Sequence, residues 1–167
     1  TRRSSDLRVK LNPDAHDWLT AELIEAAQGC DVLIAYHHSS QPLQLDAERY
    51  EMVVLGQEVI APYVKVGLDG QPVWHLPGTA NRPLPYLGYA PGAYLGGVTD
   101  WILKQAGTPI HLDRVYETDM AEGLKVMAME GHGVAFLPYS AVKKELRARK
   151  LVSAITPGLP GLEMVME

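Results

Sequence analysis

Residues 114–138 read RVYETDMAEGLKVMAMEGHGVAFLP and predict a strand, a helix and a second strand. The residue types at positions 115–117 predict an extended strand, and Leu124, Met127 and Ala128 then recur at helical spacing. Gly131 follows, and glycine suits the left-handed residue that ends many helices. Residues 134–137 are apolar without a break, which is typical of a strand covered on both faces in a parallel sheet. The stretch therefore predicts a βαβ unit.

The start of this helix is where the sequence predicts a ligand site. Thr118 and Asp119 are residue types that cap helix N-termini, and Glu122 follows at the spacing of a capping box. The helix of a βαβ unit begins at the carboxyl end of a strand, where open α/β sheets bind ligands. Thr118, Asp119 and Met120 are therefore candidate site residues.

Composition indicates a folded chain with a substantial core. The 167 residues are 47% hydrophobic and 21% charged, with a formal net charge of -5. No arginine-rich run stands out, so the sequence disfavours nucleic-acid contact by this segment alone. The most basic segment, residues 143–150, is interpreted as the solvated face of a helix.

The cysteine count and the hydropathy of the sequence indicate the cellular compartment. Cys30 is the single cysteine, which excludes an internal disulfide and fits a reducing, cytoplasmic compartment. No apolar run reaches the ~20 residues that span a bilayer, so no membrane partner is expected. The start at Thr1 and the strand-like ending over residues 164–167 predict that the chain is a fragment.

A first βαβ unit is predicted near the start of the chain. Residues 7–11 alternate apolar and polar as a half-buried strand does, and residues 31–36 form a buried apolar run. Between them, a helix capped by Asp14 or Asp17 carries an apolar stripe as far as Ala27. His37 and His38 follow the second strand, and adjacent histidines lack the spacing of zinc ligands. No metal site is predicted.

The middle and end of the chain predict a second set of elements. Residues 65–85 are rich in Gly and Pro and predict an irregular excursion. A helix is predicted over residues 141–150 with Ser140 as its cap. Strands are predicted as two segments within 50–66 with a kink near Gly56, and over 87–89, 151–155 and 162–167; one more helix is predicted over 94–105. The chain then visits one lobe, crosses near Pro62 and returns near Ile155.

The order of these segments resembles the effector-binding (regulatory) domain of LysR-type transcriptional regulators. That family carries a first-lobe segment L-x-x-x-L-x-x-G-x-L-D-L-A-I, and residues 19–36, LTAELIEAAQGCDVLIAY, are similar to it. Its second lobe carries G-x-G-I-A-L-L-P, and residues 131–138 read GHGVAFLP. The likeness covers nearly the whole chain. The family's winged helix-turn-helix, and the strand and helix that precede a segment like residues 7–11, are absent.

The resemblance implies an α/β, two-lobe, periplasmic-binding-protein-like (type 2) fold, with mostly parallel sheets, flanking helices and a cleft between lobes. The first lobe is expected over residues 1–62 with 156–167, incomplete at its start, and the second over 63–155. The implied partners are a small-molecule or oxidant effector, DNA through a missing N-terminal domain, and further copies in a homodimer or homotetramer. No cofactor is implied. The implied effector contacts are Tyr36, His37, His38, Tyr89, Ala90, Pro91, Thr118, Asp119 and Met120.

Met120 is also a candidate redox residue. It lies at a predicted helix start that favours anions, and its thioether can be oxidised to a polar sulfoxide. The sequence is similar overall to the hypochlorite-responsive LysR-type regulators. Cys30, the rival, follows a helix-ending glycine away from any feature that lowers a thiol pKa, and is interpreted as a turn residue.

Two other classes of protein remain as alternatives. An exported solute-binding protein of a transporter shares the two-lobe fold, and a signal peptide on the intact chain would favour it. An enzyme is disfavoured because the sequence has no nucleophile elbow, Walker loop or dinucleotide fingerprint.

Overall fold

The computed structural model describes residues 9–11, 31–34, 46 and 48–167. It divides into two compact units, a smaller one of Thr1–Gln57 with Met166–Glu167 and a larger one of Glu58–Val165. Both predicted crossings, near Pro62 and Ile155, lie within the larger unit. The predicted lobe limits, 1–62 with 156–167 and 63–155, stay a prediction.

In the smaller unit, strands β1 (Val9–Leu11) and β2 (Val32–Ile34) pair in parallel. Parallel neighbours require a crossover connection, which agrees with the predicted βαβ unit. The predicted helix before Ala27 lies outside the described residues. The same is true of Tyr36, His37 and His38.

The larger unit carries three helices, five complete strands and the first two residues of a sixth strand, whose last residue is Met166. The strands are β3 (Glu58–Lys65), β4 (Leu84–Tyr89), β5 (Leu112–Thr118), β6 (Val134–Pro138), β7 (Leu151–Ser153) and β8 (Met164–Met166). The helices are α1 (Tyr94–Gln105), α2 (Ala121–Glu130) and α3 (Tyr139–Arg147). The predicted limits of α1 and the predicted strand, helix and strand of β5, α2 and β6 are confirmed.

One mixed sheet organises these elements, in the order β5–β4–β6–β3–β7, with β8 also paired to β3. Strand β4 is parallel to both β5 and β6, whereas β3 is antiparallel to β6 and β7. The sheet therefore has a parallel half and an antiparallel half. The carboxyl ends of β4 and β5 lie at the same edge.

Strand β6 lies at the centre of the sheet, and residues 134–137 are fully buried, as predicted. One face packs against α2 and α3 through a buried cluster: Ala61, Tyr63, Leu87, Tyr89, Leu124, Ala128, Ala135, Leu137, Val142 and Leu151. On the other face, the rings of Tyr86 and Phe136 meet edge-on, with their centroids 6.4 Å apart. Apolar side chains on both faces of β6 explain its unbroken apolar run.

Two glycines connect α2 to β6 for different reasons. Gly131 has φ of 89° and ends the helix in the left-handed region. Gly133 is buried, and a Cβ there would lie 2.5 Å from the carbonyl oxygen of Pro85 on β4. Close packing of the two backbones therefore requires Gly133.

The predicted irregular excursion before β4 is confirmed, with two isolated bridges as its pairing. It is attached to the end of α2. The indole Nε1 of Trp74 donates to the carbonyl oxygen of Gly131 at 3.3 Å, and Lys65 Nζ donates to that of Glu130 at 3.4 Å. These contacts satisfy carbonyl groups that a helix end leaves without partners.

Two predicted details are wrong. Residues 50–57 form no strand, and a single strand begins at Glu58. Ser140 does not cap α3, because β6 runs directly into the helix at Tyr139 and no side chain of the N-cap, Pro138, bonds to it. The carboxylate of Glu58 accepts the Ser140 N–H instead, at 3.2 Å.

Candidate effector site at one edge of the sheet

The structure brings together two of the three predicted groups of effector contacts. The backbone N–H of Ala90, after β4, donates to the carbonyl oxygen of Thr118, at the end of β5, at 3.0 Å. Pro91 and Gly92 form the turn into α1, and Asp119 and Met120 lead into α2. Both helices begin at this edge because each follows a strand of the parallel half. The third group, Tyr36, His37 and His38, lies outside the described residues.

The predicted capping box at the start of α2 is wrong. The N-cap residue is Met120, and no side chain caps the helix. Thr118 Oγ1 accepts the N–H of Met120 at 3.3 Å. Met120 precedes the first turn of the helix, so this bond does not cap the first-turn amides. The carboxylate of Glu122 is engaged by Lys125 at 2.6 Å. The first-turn amides of α2 therefore lack a side-chain cap and retain the partial positive charge that attracts anions.

Met120 presents its thioether to solvent at this N-terminus, with 62% of its surface exposed. The methionines of β8, Met164 and Met166, are buried, and Met127 and Met129 pack against the cluster under α2. Only Met52, in the smaller unit, is equally exposed among the described methionines. Met120 is thus the accessible methionine of the larger unit.

Tyr89 is a core residue, although sequence reasoning made it an effector contact. Its side chain is buried, and its hydroxyl donates to the carbonyl oxygen of Phe136 at 3.0 Å. Burial raises the pKa of the Tyr89 phenol well above its usual value. The Tyr89 side chain is therefore not part of the exposed surface of this edge.

Arg114 is a residue of this edge that the sequence analysis missed. Its Nη1 donates to the carbonyl oxygen of Tyr89 at 2.8 Å and to Glu117 Oε2 at 3.0 Å. Its guanidinium lies 5.4 Å from the centre of the Tyr86 ring, within the range of a cation–π contact. It fixes the end of β4 from the neighbouring strand.

A bulge and a glycine make the position of Arg114 possible. The register between β4 and β5 shifts at Val115, so Arg114 and Glu117 share a sheet face although they are three residues apart. A Cβ on Gly88 would lie 2.9 Å from Arg114 Cζ. Glycine inside a strand marks a close approach, and Gly88 was the signal in the sequence that could have revealed it.

Lys125 connects the start of α2 to α3. Besides its pairing with Glu122, its Nζ donates to the carbonyl oxygen of Ala141 at 3.1 Å and lies 3.6 Å from Glu145 Oε1. The hydrogen bond to Glu122 is the largest cause of the raised pKa of Lys125. Lys125 therefore joins the first turn of α2 to α3 by direct contacts.

Within the described ranges, no group of three His, Cys, Asp or Glu residues is arranged to hold a metal ion. In the same part of the chain, no helix is both long and apolar enough to cross a bilayer.

Solved structures of other proteins share this fold. The regulatory domain of HypT from Salmonella typhimurium matches with a TM-score of 0.68 and 22% identity, covering 87% of this chain and 65% of that one. DarR from Vibrio fischeri, solved in complex with DNA, matches with a TM-score of 0.64 and 24% identity, covering 87% of this chain and 44% of that one. The fold is the type 2 periplasmic-binding-protein-like fold.

Sequence comparison identifies the family. Residues 2–166 match the family model of the LysR substrate binding domain, and the chain belongs to that family. This makes it the effector-binding domain of a LysR-type transcriptional regulator. The HTH-type transcriptional regulator YjiE of Escherichia coli (strain K12) is 26% identical over 103 residues. That match covers 62% of this chain and 33% of YjiE, so the chain spans about a third of its relative.

Proposed function

We propose that this domain senses an oxidant, hypochlorite in particular, through Met120 and controls DNA binding by a longer regulator. That regulator acts in the bacterial cytoplasm as a homodimer or homotetramer. The observation that carries the proposal is an exposed methionine placed as the N-cap of a helix without a side-chain cap. The names of the HypT structures supply hypochlorite as the first oxidant to test.

The oxidant of the proposed step, hypochlorous acid, reaches Met120 from solvent. Hypochlorous acid transfers its oxygen to the Met120 sulfur, which loses two electrons and becomes a sulfoxide. Chlorine gains those electrons and leaves as chloride, and the proton passes to solvent. The chloride forms beside helix amides that favour negative charge.

The sulfoxide changes what the N-cap can do. A thioether accepts hydrogen bonds weakly, whereas a sulfoxide oxygen is a strong acceptor. It can reach the free first-turn amides that the present N-cap leaves without a side-chain partner. An N-cap acceptor stabilises a helix by about 0.5–2 kcal/mol, enough to shift a balanced conformational equilibrium several-fold.

The contacts of three side chains support transmission from Met120 to the rest of the larger unit. Lys125 connects the first turn of α2 to α3, and Trp74 and Lys65 hold the last turn.

The same proposal includes direct binding of an effector. The residues proposed to contact it are Ala90, Pro91, Thr118, Asp119, Tyr36, His37, His38 and the backbone of Tyr89. The domain acts by binding or being oxidised and not by turnover. The family match does not favour an exported solute-binding protein.

The test is a promoter reporter driven by the full-length regulator. Met120→Leu keeps the volume and removes the oxidisable sulfur, so the variant is expected to lose its response to hypochlorite. Met52→Leu, at an equally exposed methionine, is the matched control and keeps the response. A full response from Met120→Leu contradicts the proposal.

A further inference from the structure

The C-terminal end of α3 and the turn after it carry an unpaired cationic surface. Lys143, Lys144, Arg147, Arg149 and Lys150 are all exposed. Within the described part of the chain, none of the five has a carboxylate within 4 Å of its charged nitrogens. We call these five residues the α3 cationic patch. Such a density of free cations is unusual in a chain with a net charge of -5.

The helix arranges part of the patch as a row. Lys143 and Arg147 are four residues apart and Lys144 and Arg147 three, so the three share one face. Val142 lies on the opposite, buried face. The row from Lys143 to Arg147 rises about 6 Å, comparable with the distance over which a DNA strand presents two phosphates.

Arg149 adds an observation that a solvated helix face does not explain. It has φ of 53°, and no other non-glycine residue in the described ranges has positive φ. Its N–H donates to Leu146 and that of Lys150 donates to Glu145, at 3.1 and 2.9 Å, which is a Schellman motif. Glycine is favoured at this position because a Cβ is strained there. The helix dipole favours cations near this end but does not require one at the strained residue.

The acidic residues of the same unit do not match this patch. Glu117 is paired with Arg114, and Glu122 and Glu145 with Lys125. The other exposed carboxylates of the unit are spread along the chain, at Asp69, Asp100, Asp113, Asp119, Glu130 and Glu163, whereas the five cations of the patch lie within residues 143–150. An external polyanion is the better complement.

We infer that the α3 cationic patch contacts the phosphate backbone of duplex DNA. The inference rests on the proposed function, which attaches this domain to a DNA-bound regulator and so keeps a duplex near the patch. The contact is independent of sequence because lysine and arginine bind phosphates without reading bases.

The test measures binding of this chain to a fluorescein-labelled duplex of about 20 base pairs and arbitrary sequence, by anisotropy. Neutralising three to five phosphates predicts a loss of affinity of roughly 40- to 500-fold between about 50 and 200 mM salt. Lys144→Glu with Arg147→Glu is expected to weaken binding at least tenfold. The control pair, Arg82→Glu with Lys104→Glu, makes the same change in net charge at exposed positions outside the patch.

Arg149→Gly separates a binding role from a structural one. Removing the strained Cβ raises the melting temperature, while removing the cation weakens DNA binding about two- to tenfold. A higher melting temperature with unchanged binding contradicts the inference. Equal weakening by the control pair also contradicts it, because the effect then follows net charge.

Two further results overturn the inference. One is the absence of duplex binding at low salt. The other is tighter binding of a polyglutamate peptide than of the duplex, which assigns the patch to an acidic protein. All DNA-binding measurements use unoxidised protein, so their outcome does not depend on oxidation of Met120. Loss of the hypochlorite response in Met120→Leu tests the proposed function alone.

Discussion

The N–H of Met120 donates a hydrogen bond to Thr118 Oγ1 at 3.3 Å, so the threonine holds the residue that starts α2 and does not cap the helix itself. The same threonine accepts the Ala90 N–H through its carbonyl oxygen, at 3.0 Å. Thr118 is therefore the residue that connects the end of β4, the end of β5 and the start of α2.

Thr118→Val tests the hydroxyl without changing the shape of the side chain. We expect a loss of about 1 kcal/mol in the free energy of unfolding, because the hydroxyl loses the bond from the Met120 N–H and its longer bond to Asp119 Oδ1, at 3.5 Å, while both partners are exposed to water. Urea unfolding measures it. Thr118→Ser keeps the hydroxyl and removes the methyl group, so a loss in Thr118→Ser with none in Thr118→Val would show that the methyl group matters instead.

Glu58→Ala tests the contact between β3 and the start of α3. The buried carboxylate of Glu58 accepts from its neighbour Val59 and from Ser140, at 3.0 and 3.2 Å. Its removal leaves the Ser140 amide without its partner and is expected to cost about 1–3 kcal/mol in thermal or urea unfolding. Glu58→Gln keeps an acceptor and should cost less. Glu51→Ala, at an exposed carboxylate, is the control. Equal stability of Glu58→Ala and wild type would contradict this role.

Gly133→Ala tests the contact between backbones at the start of β6. The new Cβ meets the Pro85 carbonyl oxygen at 2.5 Å, and neither backbone can move without disturbing the sheet. We expect a loss of roughly 3 kcal/mol or more, measured by thermal unfolding. Gly107→Ala enters open space at an ordinary φ and should be neutral. Similar melting temperatures for the two variants would contradict the predicted clash.

Alkaline pH should weaken the larger unit through buried tyrosines. Burial, with a smaller contribution from Glu163 and Glu58, raises the pKa of Tyr63 from 10.0 to about 12. A raised pKa means that the stability is complete below about pH 10 and is lost as pH rises towards 12. Between about pH 9 and 11 we expect wild type to lose on the order of 1 kcal/mol relative to Tyr63→Phe. Tyr116→Phe, on the exposed strand β5, is the control. Parallel pH profiles of wild type and Tyr63→Phe would contradict the assignment.

The elements were predictable where local pattern decides them. The apolar run of β6 and the glycine after α2 determine their own structure, and the limits of α1 follow from flanking turn residues. The caps were not predictable, because distant residues decide them. Ser140 has the side chain of a cap, but its amide is satisfied by Glu58, 82 residues away.

The candidate site was predictable in position and only partly in its residues. The strand ends that hold Ala90 and Thr118 follow from the βαβ pattern, and the structure brings them together. Tyr89 was predicted to contact the effector, but strand alternation directs its ring into the core. Arg114 was not predicted, because the sequence does not reveal the β-bulge that turns its side chain towards Gly88.

Peptide mass spectrometry after limited hypochlorite treatment compares the oxidation of individual methionines in this domain. Met120 and Met52 have the same exposure, 62%, whereas Met164 is buried. If solvent accessibility alone decided the rate, Met120 and Met52 would be oxidised equally fast. We expect Met120 to be oxidised first at substoichiometric oxidant, because the uncapped amides of α2 stabilise the departing chloride. Oxidation of Met52 as fast as Met120, or faster, would contradict it.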